Sequence, residues 1–382
     1  MTVSSRVLKK RRMRPGRTAR CIVVWMLLGL LSSGVLACHS HAENRLQAAS
    51  PGVPSGIWIS REEIRSLPTD GPAWEALVAK AEERLGRVDL ANQDDPNNIR
   101  ILAKAMVFVR TGEERYALEV KRACREIRGT EKYADTLSIG RELLAYIIAA
   151  DLVELETDER ADFEKWLRRL ANTSYRGRSI RSTHEDRPNN WGTHAGASRL
   201  ALAAYLGDQP EIERAAHVFR GWTGEPAGWQ RFEFGARWWQ AKGSRPFAVN
   251  PMNARREGHP IGGVLPDDQR RAGPFKWPPP KENYVYEALQ GAIVQAVLLE
   301  RLGYESWVWG DRALLRAFEW LHGEANYPAQ GDDTWLPHLI NHAYEREFPA
   351  PVPSTAGKGM GFSDWTHGPR PLSNGKPVTN SD

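Results

Sequence analysis

The stretch Thr136–Val153 is apolar around most of its circumference, which is the pattern of a helix buried on several sides rather than one lying on a surface. A polar, amphipathic segment follows it, with Thr157 expected as cap and Arg160–Leu170 behind it. The same alternation recurs along the chain. Ala73–Leu85 ends at Gly86. Asn98–Val109 is followed through Thr111-Gly112 by Glu113–Ile127. Trp191–Leu206 and Pro210–Trp222 are joined by Gly207-Asp208, and Tyr284–Leu302 and Glu305–Leu321 by Gly303-Tyr304. A largely apolar helix, a short turn and a more polar helix, repeated, with few strand signals, predicts an all-α chain built as an α/α toroid (an incomplete α/α barrel) of helical hairpins.

The ends of the chain carry a different message. The formal net charge is +5, but residues 1–42 hold eight basic side chains and no acid, so residues 43–382 carry +5 − 8 = −3. The pI therefore gives no support to a nucleic-acid partner. The basic tract precedes an apolar run, Cys21–Ala37, and then small residues, which is the layout of a signal peptide over 1–42. Ser40-His41-Ala42 offers ordinary cleavage; Val35-Leu36-Ala37-Cys38 offers a lipobox in which Cys38 would be lipidated. The expectation is an exported protein, periplasmic or secreted, touching a membrane only through the signal or a lipid on Cys38. Residues 43–60 read as a linker, 61–345 as the toroid domain, and 346–382 as an extension packing on it or trailing from it. Only Cys124 lies in the body of the chain, so the domain must be stable without an internal disulfide, and a monomer is expected.

Two segments interrupt the helical rhythm. Residues 172–189 read as a basic, polar loop. Residues 223–282 are rich in proline, glycine and aromatic side chains, and an irregular segment of that length inside a helical domain is usually functional. At the end of the first lies Asn189-Asn190-Trp191-Gly192-Thr193-His194. Asn190 and His194 are four apart at a helix start and share one face. One of the two asparagines is expected to cap the helix. At the end of the second come Arg270-Arg271 and then Tyr284. An amide, an imidazole, a guanidinium and a phenol, without an obvious carboxylate pair or metal cluster, suit the removal of a proton beside a sugar carboxylate. Asn189, Trp191, Arg256, His259 and Trp277 are candidate substrate contacts, as are Arg255, Trp238 and Trp239. His338 and His342 stand at i,i+4 but lack an acidic partner at ligand spacing, so no metal is expected, and no cofactor.

Pro188-Asn-Asn-Trp-Gly-Thr-His194, Gly263-Val-Leu-Pro-Asp-Asp-Gln-Arg-Arg271 and Tyr284-Val-Tyr-Glu-Ala-Leu289 together resemble the alginate lyase superfamily. Pro68-x-x-Gly71-Pro72-x-Trp74 and Asp332-Asp333-x-Trp335-Leu336 add to the likeness, which spans most of the chain from Ile57 to about Trp365. The resemblance implies an α/α toroid and assigns the amide role to Asn190, the arginine role to Arg271 and the catalytic tyrosine to Tyr284. The chain departs from the alginate lyases proper in carrying Trp191 in place of histidine, which passes the imidazole role to His194. It also has Asp268 in place of glutamate, no glycine after Arg271, and a longer gap before Tyr284. These departures make it similar to a related branch that includes lyases acting on glucuronan.

The expected reaction is β-elimination on a β-1,4-linked uronate polymer, glucuronan or mannuronate-rich alginate. Asn190, His194 and Arg271 would neutralise the carboxylate, and one tyrosine would act as base and then acid. Tyr284 is favoured over Tyr286, which faces another way on the same helix. Two other readings stay open: a glycoside hydrolase using carboxylates among Asp267, Asp268 and Glu287, and a non-catalytic carbohydrate-binding protein.

Overall fold

In a computed structural model, which describes residues 56–368, the chain is almost wholly helical. Its helices are α1 (Arg61–Ser66), α2 (Gly71–Glu82), α3 (Asn97–Thr111), α4 (Glu114–Glu126), α5 (Thr136–Val153), α6 (Thr157–Asn172), α7 (Ile180–Asp186), α8 (Asn190–Leu206), α9 (Gln209–Trp222), α10 (Pro266–Gln269), α11 (Asn283–Arg301), α12 (Trp309–His322), α13 (Leu336–Tyr344) and α14 (Ser363–Thr366). The single sheet among the described residues is a two-residue hairpin, β1 (Arg255–Arg256) paired antiparallel with β2 (His259–Pro260).

The two kinds of helix occupy two layers. In α5 every residue but Asp151 is buried, and α3, α8 and α11 are nearly as enclosed. By contrast α4, α6 and α9 bury one stripe each, such as Phe163, Trp166, Leu167 and Leu170 of α6. The inner helices pack in chain order, α3 on α5, α5 on α8 and α8 on α11. Further contacts run from α11 to α13, α13 to α14, α14 to α2 and α2 back to α3. Trp365 fixes the joint between α14 and α2: its Nε1 donates to the Pro68 carbonyl at 2.9 Å and its ring lies 5.3 Å from that of Trp74.

Three contacts give the inner helices a common direction. Asp94, just before α3, is 3.9 Å from Arg141 in the first half of α5. Arg141 pairs with Glu287 near the start of α11. The N–H of Asn190, the first residue of α8, donates to Asp268 of α10 at 3.1 Å. The N-terminal ends of α3, α5, α8 and α11 therefore lie together on one face, where helix dipoles favour anions.

Several local expectations change. The linker does not extend to residue 60, because Ile57, Trp58 and Ile59 are buried in the core and the Ile57 N–H donates to Asp151 at 3.0 Å. Thr157 is not a cap but the first residue of α6; Glu156 precedes it without a side-chain capping bond. The loop over 172–189 contains α7, capped by Ser179 in a capping box and burying His184 and Glu185. Buried Glu185 is met by Arg199 at 3.1 Å, which also reaches Glu211 (2.8 Å), whereas Arg176 and Arg181 stay exposed. The helix expected over Glu305–Leu321 is broken at Gly310, Asp311 and Arg312, all at positive φ. Beyond residue 345, Met360, Phe362 and Trp365 are buried, so this part of the extension belongs to the core. The proposed signal peptide, Cys38 and most of the linker lie outside the described residues.

Candidate active site

The site begins with the packing of three inner helices around His194. Gly140 of α5 and Gly291 of α11 face the backbone of α8 from either side. A Cβ on Gly140 would stand 2.8 Å from the Ala195 nitrogen, and one on Gly291 2.5 Å from the His194 nitrogen. Only glycine allows these approaches, and the resulting junction buries the His194 ring at 1% exposure.

His194 Nε2 has no hydrogen-bond partner and lies 3.8 Å from Glu287 Oε2, outside bonding range. Burial lowers the imidazole pKa, more than the nearby Glu287 raises it, so the ring is neutral. Glu287 behaves in the opposite way. Burial alone would raise its pKa, but His194 and the Arg141 guanidinium outweigh that and hold the carboxyl at about 2. A carboxylate facing Nε2 favours the tautomer with a proton there, leaving a neutral donor for an incoming anion.

Asn190 and Asn189 divide their work. Asn189 caps α8 by accepting from Trp191 N at 3.2 Å, and its Nδ2 donates to Asp267 at 3.0 Å. Both ends of that side chain are engaged by protein groups. Asn190 is fully buried, yet neither its amide nitrogen nor its amide oxygen has a partner. Asp268, whose carboxyl burial pushes well above the usual range, anchors the Asn190 backbone and has one free oxygen itself. Unsatisfied buried polar atoms call for an explanation, and four of them, on Asn190, His194 and Asp268, lie around the start of α8.

The arginine and the tyrosine meet at the exposed side of this group. Arg271 lies in a short turn after α10, with its Cζ 3.8 Å from the centre of the Tyr284 ring. Tyr284 is 39% exposed, and it sits one helical turn before Glu287 on α11. Asp268 thus meets the Asn190 backbone and feels the charge of Arg271 three residues on, Arg271 lies over Tyr284, and α11 leads from there to Glu287 and His194. Tyr286 is elsewhere: its ring is buried and its hydroxyl donates to the Tyr327 carbonyl at 2.7 Å.

The remaining candidates are placed differently. Arg256 Nη1 donates to the carbonyls of Arg237 (3.1 Å) and Gln240 (2.9 Å), which helps hold the irregular segment together, while its Nε has no hydrogen-bond partner. Arg255 bonds the Gly258 carbonyl. His259 and Trp277 stack on each other at 4.4 Å, and no contact joins them to Tyr284 or His194. Trp191 is half-buried and Trp238 40% exposed, while Trp239 is buried with Nε1 on the Gly273 carbonyl. His338 Nε2 is 3.0 Å from the Pro351 carbonyl. Among the described residues no cluster of three or more His, Cys, Asp or Glu could hold a metal.

Sequence reasoning missed Arg141 and Lys358. Lys358 stands on a turn between Gly357 and Gly359 that is wedged between α11 and α5. Its N–H donates to Gln290 at 2.6 Å, and Cβ atoms on the two glycines would strike Gln290 and the Arg141 carbonyl. Its ammonium lies 3.2 Å from Asp94 and 3.6 Å from Asp332. The signal was a lysine between glycines, legible only once the turn's position is known. Cavities of about 330 and 650 Å³ sharing His342, Thr366 and His367 lie beside the C-terminal half of α11 and α13, and contain none of these groups.

Comparison with known proteins agrees with the geometry. Residues 79–227, from α2 to just beyond α9, match the family described as alginate lyase. No curated protein matches the chain.

Proposed function

We propose that this chain, whose residues 79–227 match the alginate lyase family, is a polysaccharide lyase of that superfamily and cleaves a β-1,4-linked uronate polymer by β-elimination. The observation that carries this reading is the unsatisfied Asn190 amide beside the neutral, unpartnered His194 Nε2. A uronate carboxylate would supply acceptors to both, and Arg271 a counter-charge. Neutralised in this way, the carboxylate can take up the charge that develops when the C5 proton leaves. Tyr284 is the base that removes this proton and then the acid that protonates the departing O4. In mannuronate and glucuronate both lie on the same face of the ring, so one phenol suffices. The amide and imidazole are sealed from solvent, so binding requires the groups covering them to move.

The hydrolase alternative fares poorly on chemistry. Glu287 is held ionised by Arg141 and His194, which disqualifies it as a general acid. Asp267 is occupied by Asn189, Arg270 at 3.0 Å and the Gly235 N–H at 2.7 Å. The test is ultraviolet absorbance with polymannuronate, polyglucuronate and polygalacturonate. An unsaturated-uronate band is expected with the first or second, and Tyr284→Phe should slow its growth about a thousandfold. Reducing ends without that band would sink the reading.

A further inference from the structure

The rim of the same face holds a second concavity. Tyr133, 72% exposed, is the most exposed large hydrophobic side chain among the described residues. It ends the turn Thr130–Tyr133 leading into α5, and a pocket of about 500 Å³ between this turn and the end of α6 is bordered by Lys132, Tyr133, Arg169 and Arg176. Two of the three cations are paired from behind, Arg169 with Glu131, which also borders the pocket, and Arg176 with Asp135. Glu131 is turned inward, accepting from Gly129 N (2.7 Å) and Trp166 Nε1 (3.1 Å), and is 3.5 Å from Arg169. Asp135 caps α5 by accepting from Leu137 N and Ser138 N, and lies 3.8 Å from Arg176. The Arg169 and Arg176 side chains stay 65% and 69% exposed.

The pocket wall is also held in shape. Arg176 sits at φ +49, beside Gly177, in a turn closed by the Tyr175–Arg178 bridge, and its Nη2 donates to the Tyr133 carbonyl at 3.1 Å. A left-handed arginine is unfavourable unless its surroundings impose it. Here the imposed conformation brings a guanidinium beside an exposed aromatic ring, with Lys132 Nζ 5.2 Å from the ring centre. A flat apolar face bordered by cations is the chemistry that recognises a sugar ring bearing a carboxylate.

We infer that this pocket is an outer subsite for an anionic residue of the same polysaccharide chain that enters the catalytic cluster. The inference rests on the uronate reading above for the identity of the polymer. Only about 8 Å of helix rise separates Thr136, at the start of α5, from Arg141 at the cluster. A chain leaving the cluster across the α5 terminus therefore meets Tyr133 next, and the enzyme grips several sugars at once.

The experiment is affinity electrophoresis of the full chain through gels containing polyglucuronate or polymannuronate, run beside the absorbance assay. It compares the parent, Tyr284→Phe and the triple variant Lys132→Ala/Tyr133→Ala/Arg169→Ala, whose thermal melt reports its folding. Parent and Tyr284→Phe should be retarded alike, and the triple variant should bind roughly tenfold more weakly. Equal retardation of parent and triple variant overturns the subsite, even if the absorbing product forms and the lyase reading survives. A parent that is not retarded by either polymer overturns it as well. Retardation lost in the triple variant, with no absorbing product from the parent, supports the subsite while the elimination reading falls.

Discussion

The junction at His194 and the irregular segment over 223–282 both contributed residues to the predicted site, and they differ in how most of their polar groups are used. In the segment, Arg255 and Arg256 bond backbone carbonyls, His259 packs on Trp277, and Asn250 ties Trp239 to Val264. These side chains replace the hydrogen bonds that an irregular backbone cannot make with itself. At the junction regular helices satisfy their own backbones, and Asn190 and His194 are left with unpartnered atoms. A polar residue type is thus a poor guide to a binding site; several unpartnered buried atoms meeting at one place, as on Asn190, His194 and Asp268, are a better one, since isolated cases such as Arg256 Nε and Asn250 Oδ1 occur in the segment as well.

The comparison can be broken first at the phenol, where loss of Tyr284 in the absorbance assay is expected to cost about 4 kcal/mol in the transition state. Next comes Asn190→Ala. If the amide serves substrate, kcat/KM should fall about a hundredfold, roughly 3 kcal/mol, while the denaturation midpoint stays near the parent's. A large loss of stability with activity retained would make Asn190 a structural group like its neighbour.

Glu287→Gln sharpens the electrostatic side. The carboxyl titrates at about 2 when folded against 4.5 as reference, so its stabilisation is complete above pH 4.5 and lost as pH falls toward 2. Unfolding free energies measured across that window should show parent and variant converging, from a gap of about 3 kcal/mol at neutral pH. A gap independent of pH would remove the Arg141–Glu287–His194 arrangement from the account.

Gly291→Ala should destabilise by about 2 kcal/mol, because its Cβ meets backbone atoms of α8 that cannot withdraw without separating the helices. A calorimetric melt unchanged from the parent would mean that the junction is looser than described. The smallest change is expected from Asn189→Ala. Loss of its cap should lower stability by about 1 kcal/mol and leave KM nearly as before. A raised KM without destabilisation would return Asn189 to the substrate contacts.

Much of the fold was legible because the helices announce themselves locally. Thr136–Val153 was bounded to the residue by the apolar run between Asp135 and Glu154, and Gly112 and Gly207 end α3 and α8 in left-handed conformations that glycine adopts freely. The break at Gly310–Arg312 was not legible, since the apolar period runs through it. Nor was α7, whose charged residues look solvated in sequence but pair with α8 and α9 across the fold. At the site, the i,i+4 spacing put Asn190 and His194 on one face. The preference for Asn190 over Asn189 and for Tyr284 over Tyr286 came with the resemblance; only the structure shows what engages the other two, Asp267 and Trp191 N for Asn189 and the Tyr327 carbonyl for Tyr286.

The sequence alone determined an alternation of enclosed and amphipathic helices, and an amide and an imidazole one turn apart at a helix start. These follow from the period of the α-helix and from capping chemistry, which act over a few residues. Tertiary structure decided which polar atoms remain free, and that Arg141 and Lys358 are brought toward Glu287 from distant segments. Such outcomes depend on contacts between residues 78, 146 or 264 positions apart, and no local pattern encodes which hydrogen bonds those contacts will satisfy.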